Sequence, residues 1–222
     1  RRSGDVVWRD PDPDQPLDEV DSLRAGNASL YKSFEAGLRI ADALGRKRTD
    51  WAHARKAIAG AFAHTPEAFD RKANDRTGYA MDWYYPVLTG AISGQPAVQR
   101  LDEGWDRFVV ADLGCRCVAD EPWVTAAETA ELALACLTLG RREAARTLIS
   151  DLAPLAKGGK GYWMGWQFEL GMVWPKERPG WTSAAVVLAA DALEGLSPGS
   201  DLFIRHARPD AWLRPGAETR AY

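Results

Sequence analysis

Apolar residues return at three- and four-residue intervals in seven stretches of the chain, and this spacing predicts an all-α protein built from helical hairpins. The first helix, about 27–44, carries Leu30, Phe34, Leu38 and Ala41 on one face, with Asn27 as its cap and Gly45 as its stop. A second helix covers about 50–62 and a third about 82–92. The turn Ser93-Gly94-Gln95-Pro96 leads into a fourth that ends near Phe108. A fifth spans about 126–139, a sixth ends near Leu155, and a seventh covers about 182–193. Phe108-Val109-Val110 and Cys117-Val118 are apolar enough to predict short strands. Residues 1–22, rich in Pro and Asp, read as an extended segment, 23–194 as the helical domain, and 195–222 as a tail with one short helix near 201–206.

The connections alternate in length. Short turns follow the first, third and fifth helices; long loops at about 64–80, 109–124 and 156–180 follow the second, fourth and sixth. In an up-down array the short turns share one end and the long loops the other. Helices starting near 27, 82, 126 and 182 then point their N-termini at the long-loop end, with a coarse hairpin repeat of about 50 residues. Trp123-Val124-Thr125-Ala126-Ala127 and Trp181-Thr182-Ser183-Ala184-Ala185 repeat one local pattern. Small residues there allow close helix approach.

That end is where the chemistry collects. Met81-Asp82-Trp83-Tyr84-Tyr85-Pro86, Glu121 to Glu128 and Glu177 to Ala185 each place tryptophan beside a carboxylate where a loop becomes a helix. Flat rings pack on sugar C–H faces and acids hold hydroxyls or move protons, so the pattern fits a carbohydrate site. Of ten tryptophans, Trp83, Trp123, Trp163, Trp166, Trp174 and Trp181 fall in or beside the long loops. The positive end of each helix dipole favours ionised acids nearby.

Composition narrows the partners. A net charge of −3 carries no electrostatic footprint for nucleic acid, and Gly45-Arg46-Lys47-Arg48 reads as a solvated turn. No apolar run reaches the ~18 residues of a membrane helix, and nothing at the N-terminus has the form of a secretory signal. Three cysteines, Cys115, Cys117 and Cys136, make no disulfide framework, and no second pair completes a zinc site, so the expectation is idle thiols in a cytoplasmic protein with no metal and no cofactor.

Three carboxylates are candidates for catalysis: Asp82, Glu128 and Glu177. Each has a structural reading beside the chemical one. Asp82 fits an N-cap, Glu128 with Thr125 fits a capping box, and Glu177 fits an ordinary loop acid. Candidate substrate-binding residues are Asp21, Arg24, Trp83, Tyr84, Tyr85, Trp123, Trp163, Trp166 and Trp181.

Leu23 to Ser29, Met81 to Pro86, Gly104 to Val110, Pro122 to Glu128 and Trp174 to Glu177 together resemble an actinobacterial family of six-hairpin (α/α)6 toroids labelled prenyltransferase-like. That family is similar to the mycobacterial hydrolase of methylmannose polysaccharide, an α-1,4-mannan endo-hydrolase. The resemblance covers about 4–193. It implies a partial toroid corresponding to the family's C-terminal part, an oligosaccharide or polysaccharide substrate, and a missing N-terminal part or partner subunit that completes the ring. It also implies an inverting glycoside hydrolase, with Glu177 resembling the base that precedes the last inner helix in glucoamylase-like toroids. Two other classes stay open: an isoprenoid or terpene-type enzyme on the same toroid, although no Asp-rich helical motif for diphosphate is present, and a non-catalytic glycan-binding module.

Overall fold

A computed structural model describes residues 2–7, 22–69, 75–156, 158–206 and 208–213. The chain is mostly helical, and the described residues form seven α-helices and five short strands. Backbone contacts divide them into two compact units. The first comprises 1–76, 89–92 and 206–222, the second 77–88 and 93–205.

In the first unit, α1 (Arg24–Ala43) and α2 (Thr49–His64) form a hairpin. The helix begins three residues before the expected cap. Asn27 lies inside it, buried, and its side-chain oxygen accepts the Val6 N–H at 2.7 Å while its amide donates to the Val6 and Leu23 carbonyls. It pins an N-terminal strip instead of starting a helix. The buried face is also rotated from the one the apolar pattern indicates. Tyr31, Glu35 and Leu38 point inward, and Leu30 is exposed. The cause is an ion pair. Glu35 and Arg55 are both fully buried, 2.7 Å apart, with the guanidinium stacked 4.0 Å from the Tyr31 ring centroid. A buried charge is tolerated only when paired, and a sequence pattern scores Glu as exposed. Arg55 also donates to the Arg208 carbonyl at 2.8 Å, tying the C-terminal segment to the hairpin. Gly90, at φ +73°, leaves room for the His206 ring that any Cβ would strike.

The second unit is organised around α5 (Ala126–Thr138), which packs against α3 (Ala80–Leu88), α6 (Arg142–Asp151) and α7 (Gly180–Glu194). Its run of Ala and Leu explains this: alanine is the best helix former, and small side chains admit three neighbours. A fourth neighbour is added through Thr129, whose hydroxyl accepts the Cys115 N–H at 2.8 Å and donates to the Thr125 carbonyl. On the far side of α3 lies α4 (Gln95–Phe108).

Helix α3 contains Pro86. Proline has no N–H to give the carbonyl four residues back, that of Asp82. Arg100 on α4 supplies the missing donor. Its Nη2 reaches the Asp82 carbonyl at 2.7 Å and its Nε the Trp83 carbonyl at 2.8 Å. Replacing Arg100 by Met keeps the stem and strands the Asp82 carbonyl, at a cost of about 1–3 kcal/mol. A melting temperature unchanged from the parent would refute this role.

The long loops carry the strands. β1 (Val109–Val110) pairs antiparallel with β2 (Gly114–Cys115), so the second strand lies a few residues before the one expected at Cys117-Val118. Val118 instead bridges to Tyr79. β3 (Trp123–Thr125), β4 (Gly165–Gln167) and β5 (Met172–Val173) form one antiparallel sheet in that order. Within this unit the 109–124 and 156–180 loops are therefore stitched together, and Tyr79 joins the tail of the first long loop to them. No helix forms over 201–206, where the chain makes turns. No helix among the described residues is long and apolar enough to cross a membrane.

Candidate functional site

The sheet β3–β4–β5 lies at the N-terminal end of α5 and decides which aromatic faces open. Val124, Trp166 and Val173 are cross-strand partners on one face, with Val124 buried. Trp123 and Thr125 take the other face. The Trp123 indole lies over Gly165, where a Cβ would strike it, and its Nε1 donates to the Trp174 carbonyl at 2.7 Å. The Trp174 ring meets Trp123 edge-on at 5.3 Å and is 52% exposed. The two rings make an aromatic ledge.

Thr125 ends β3 and starts α5. The capping box expected of Thr125 and Glu128 does not close in its reciprocal form. The threonine hydroxyl makes no cap bond to backbone but donates to the Glu128 carboxylate. The Cys117 thiol lies near the same carboxylate, and burial, with the Glu128 charge, pushes that thiol up to about 12. One turn along α5, Glu131 stands between two tyrosines. Tyr84 Oη donates to its Oε2 at 2.6 Å and Tyr85 Oη to its Oε1 at 3.1 Å. Burial pushes the Glu131 carboxyl up to about 6; the tyrosine hydroxyls oppose the shift and the nearby Glu128 charge adds to it.

Glu131 is the residue that sequence reasoning missed. The signal was there: two glutamates three apart share a helix face. Their side chains are two carboxylates in unlike environments, and such pairs divide into acid and base roles.

The remaining predicted residues are dispersed more widely. Asp82 lies in the first turn of α3, buried, two residues past the helix start, so it is not the cap. Trp83 is a core ring, stacked on Phe108 at 5.0 Å and edge-on to Trp105. Tyr84 is fully buried and reaches the site through its hydroxyl alone, whereas Tyr85 is half-buried. Glu177 is exposed beyond β5. Its carbonyl accepts the Met164 N–H at 3.0 Å, and the Met164 carbonyl accepts the Ala126 N–H, so Glu177 is two backbone spacings, about 10 Å, from the start of α5. Trp163 is half-buried under the Arg178 guanidinium, 3.9 Å from its centroid. Trp181 is 57% exposed at the start of α7. Arg24 belongs to the first unit, donating to the Pro66 carbonyl over the Phe69 ring. Asp21 lies outside the described residues. Among the described residues no three His, Cys, Asp or Glu side chains are grouped to hold a metal.

No family model matches the chain. It is 41% identical over 200 residues, 90% of its length, to the MMP endo-(1,4)-3-O-methyl-alpha-D-mannosidase of Mycolicibacterium hassiacum. The chain spans 54% of that protein.

Proposed function

We propose that this chain is part of a glycoside hydrolase that cleaves α-linked hexose polymers within the chain, with an O-methylated α-1,4-mannan as substrate. The observation that carries the reading is Glu131: a carboxyl raised to about 6 by burial, held by two tyrosines and one helical turn from Glu128, on the helix that β3 and its Trp123 lead into. The mannosidase name of the 41% identical relative supports it.

In this reading the ledge stacks sugar rings and Glu131 is the general acid. It gives its proton to the glycosidic oxygen as the bond to the anomeric carbon breaks. A carboxylate base takes a proton from the water that adds to that carbon. Glu128, held by Thr125, adds its charge to the burial that keeps Glu131 protonated to higher pH. Glu128 is not assigned as the partner base, because its carboxylate is already engaged by the Thr125 hydroxyl. An inverting pair needs about 6.5–9.5 Å. Inversion is accordingly assigned to Glu131 with a base off α5, for which Glu177 is the candidate in this chain and a polypeptide completing the partial (α/α)6 toroid is the other source. Asp82 shapes α3 in this reading and moves no proton.

Trp174 offers a direct test of the ledge. Titrating O-methylated α-1,4-mannan oligosaccharides should quench tryptophan fluorescence, and Trp174→Ala should weaken affinity about tenfold, roughly 1.4 kcal/mol, without loss of helicity. Equal affinity in the variant removes the ledge from the site. NMR of the first-formed product anomer decides inversion against retention.

A further inference from the structure

Tyr84 and Tyr85 leave α3 as sequence neighbours, about 100° apart around the helix. Both hydroxyls nevertheless reach one carboxyl group on α5, each at a different oxygen. Their rings lie 5.3 Å apart, tilted at 42°. The Glu131 carboxyl is bracketed, and its two oxygens are not equivalent. Oε2 faces Tyr84, a side chain with no exposed surface, whose hydroxyl donates at 2.6 Å. A buried donor left without an acceptor is costly, so Tyr84 holds Oε2 as an acceptor whether or not Glu131 is ionised. Oε1 faces Tyr85, which is half-buried and donates at the longer distance of 3.1 Å. A carboxylic acid has a single O–H, and with Oε2 committed to accepting, the proton belongs on Oε1. Burial first, then the Glu131 charge, raises both phenols above their ordinary range, so each stays a hydroxyl and neither is itself the acid or base. The other titratable groups around this pair are Glu128, one turn back on α5, and the Cys115 thiol of β2, which burial holds neutral.

Resting on the reading of Glu131 as the general acid, we infer that the two tyrosines divide the work: Tyr84 is the positioning residue that fixes Oε2 as an acceptor, and Tyr85 covers Oε1, the proton-bearing oxygen, until a sugar oxygen takes the place of its hydroxyl. In the free protein the Tyr85 hydroxyl donates to ionised Oε1 and turns to accept when Oε1 is protonated, since a hydroxyl is both donor and acceptor. With substrate bound, the Oε1 hydrogen points to the glycosidic oxygen. The proton passes to that oxygen as its bond to the anomeric carbon breaks, and the electron pair of the bond stays on the oxygen. Water adds to the carbon and gives its proton to the base. Glu131 is left ionised with Tyr84 still on Oε2, and Tyr85 donates to Oε1 again as product leaves. The same bracket separates the two glutamates of α5, because Glu128 takes the Thr125 hydroxyl in place of a tyrosine.

The test follows the Glu131 carboxyl by carbon-13 NMR in the full 222-residue chain, labelled at its glutamate carboxyls. The Glu131 signal is identified by its loss in Glu131→Gln. Titration midpoints are read for the parent, Tyr84→Phe and Tyr85→Phe, each free and saturated with O-methylated α-1,4-mannan oligosaccharide. Each substitution removes a bond to the ionised form, so in the free protein each should raise the midpoint by about half a pH unit or more. Saturation should raise the parent midpoint and bring the parent and Tyr85→Phe to one value, because the hydroxyl that the variant lacks is displaced in the parent. Tyr84→Phe should stay above the parent in both states. If Tyr84→Phe fails to fold, the half-buried Tyr85 still decides the matter. Three results overturn the proposal and leave the glycan site standing, provided the oligosaccharide quenches tryptophan fluorescence: a free-state midpoint that Tyr85→Phe does not move, a gap between the parent and Tyr85→Phe that persists at saturation, or convergence of Tyr84→Phe in its place. An oligosaccharide that neither quenches fluorescence nor moves any midpoint overturns the glycan reading, and this proposal with it.

Discussion

Glu131→Gln should abolish hydrolysis and stabilise the protein at the same time. The activity loss follows from removing the proposed proton donor, an effect of about 10²–10⁴ in kcat. The stability gain follows from where the carboxyl sits. Its pKa is raised from 4.5 to about 6, chiefly by burial. A group raised in the folded state binds more protons there than in the unfolded chain, so its contribution is fully present below about 4.5 and is lost as pH rises to about 6. Above that, the folded protein carries an ionised, partly desolvated carboxylate at a cost of about 2 kcal/mol. Glutamine keeps acceptor contact with the tyrosine hydroxyls and carries no charge. Melting curves from pH 4 to 8 should therefore converge at the acid end and separate in favour of the variant above pH 6. The parent's kcat should fall on the alkaline side of about pH 6, as Glu131 loses its proton. A glutamine variant with near-parental turnover would place the acid elsewhere, and a stability difference independent of pH would show that Glu131 is not the titrating group.

What the sequence disclosed about this site depended on which physical signal each residue carries. Helix number and order were readable because Ala- and Leu-rich runs between Gly and Pro stops carry a strong 3.6-residue period; seven helices occur in the expected order, with ends that differ by up to four residues, as where α3 stops at Leu88 and α6 at Asp151. The α1 face was misread because burial of Glu35 depends on Arg55, twenty residues away, and no local pattern reports such a partner. The sheet β3–β4–β5 escaped because strands of two or three residues are too short to alternate visibly, and only the tertiary pairing of two loops creates it. The aromatic–acid clusters drew attention to the N-terminal end of α5 but not to Glu131, whose carboxyl burial raises to about 6. Glu128, next to a helix start, attracts a capping argument; Glu131, mid-helix, resembles an ordinary polar position until Tyr84 and Tyr85 arrive from α3.

Trp83 separates core from site, and Trp83→Ala should reveal which by what it costs. Clustering near the long loops suggested a sugar platform. The indole instead lies parallel to Phe108 at 5.0 Å, edge-on to Trp105 at 6.5 Å and edge-on to Tyr84 at 6.3 Å. Its Nε1 donates to the Arg100 carbonyl at 2.6 Å, answering the bonds that Arg100 returns to α3. Gly104 on α4 is the close approach that makes this possible, since a Cβ there would land on the indole nitrogen and its neighbours. Truncation to alanine opens a cavity and removes the indole hydrogen bond, a loss of about 3–5 kcal/mol. For a chain of this size that is about 10 °C or more in melting temperature. Gly104→Ala should destabilise the parent through the clash but be far better tolerated in the Trp83→Ala background, where the new methyl enters the vacated space. This non-additivity is the signature of direct contact. A sugar platform behaves oppositely: Trp83→Ala would leave the melting temperature in place, lower oligosaccharide affinity, and add independently to Gly104→Ala. Thermal melts of the two single variants and the double variant, with one affinity measurement on each, distinguish the cases.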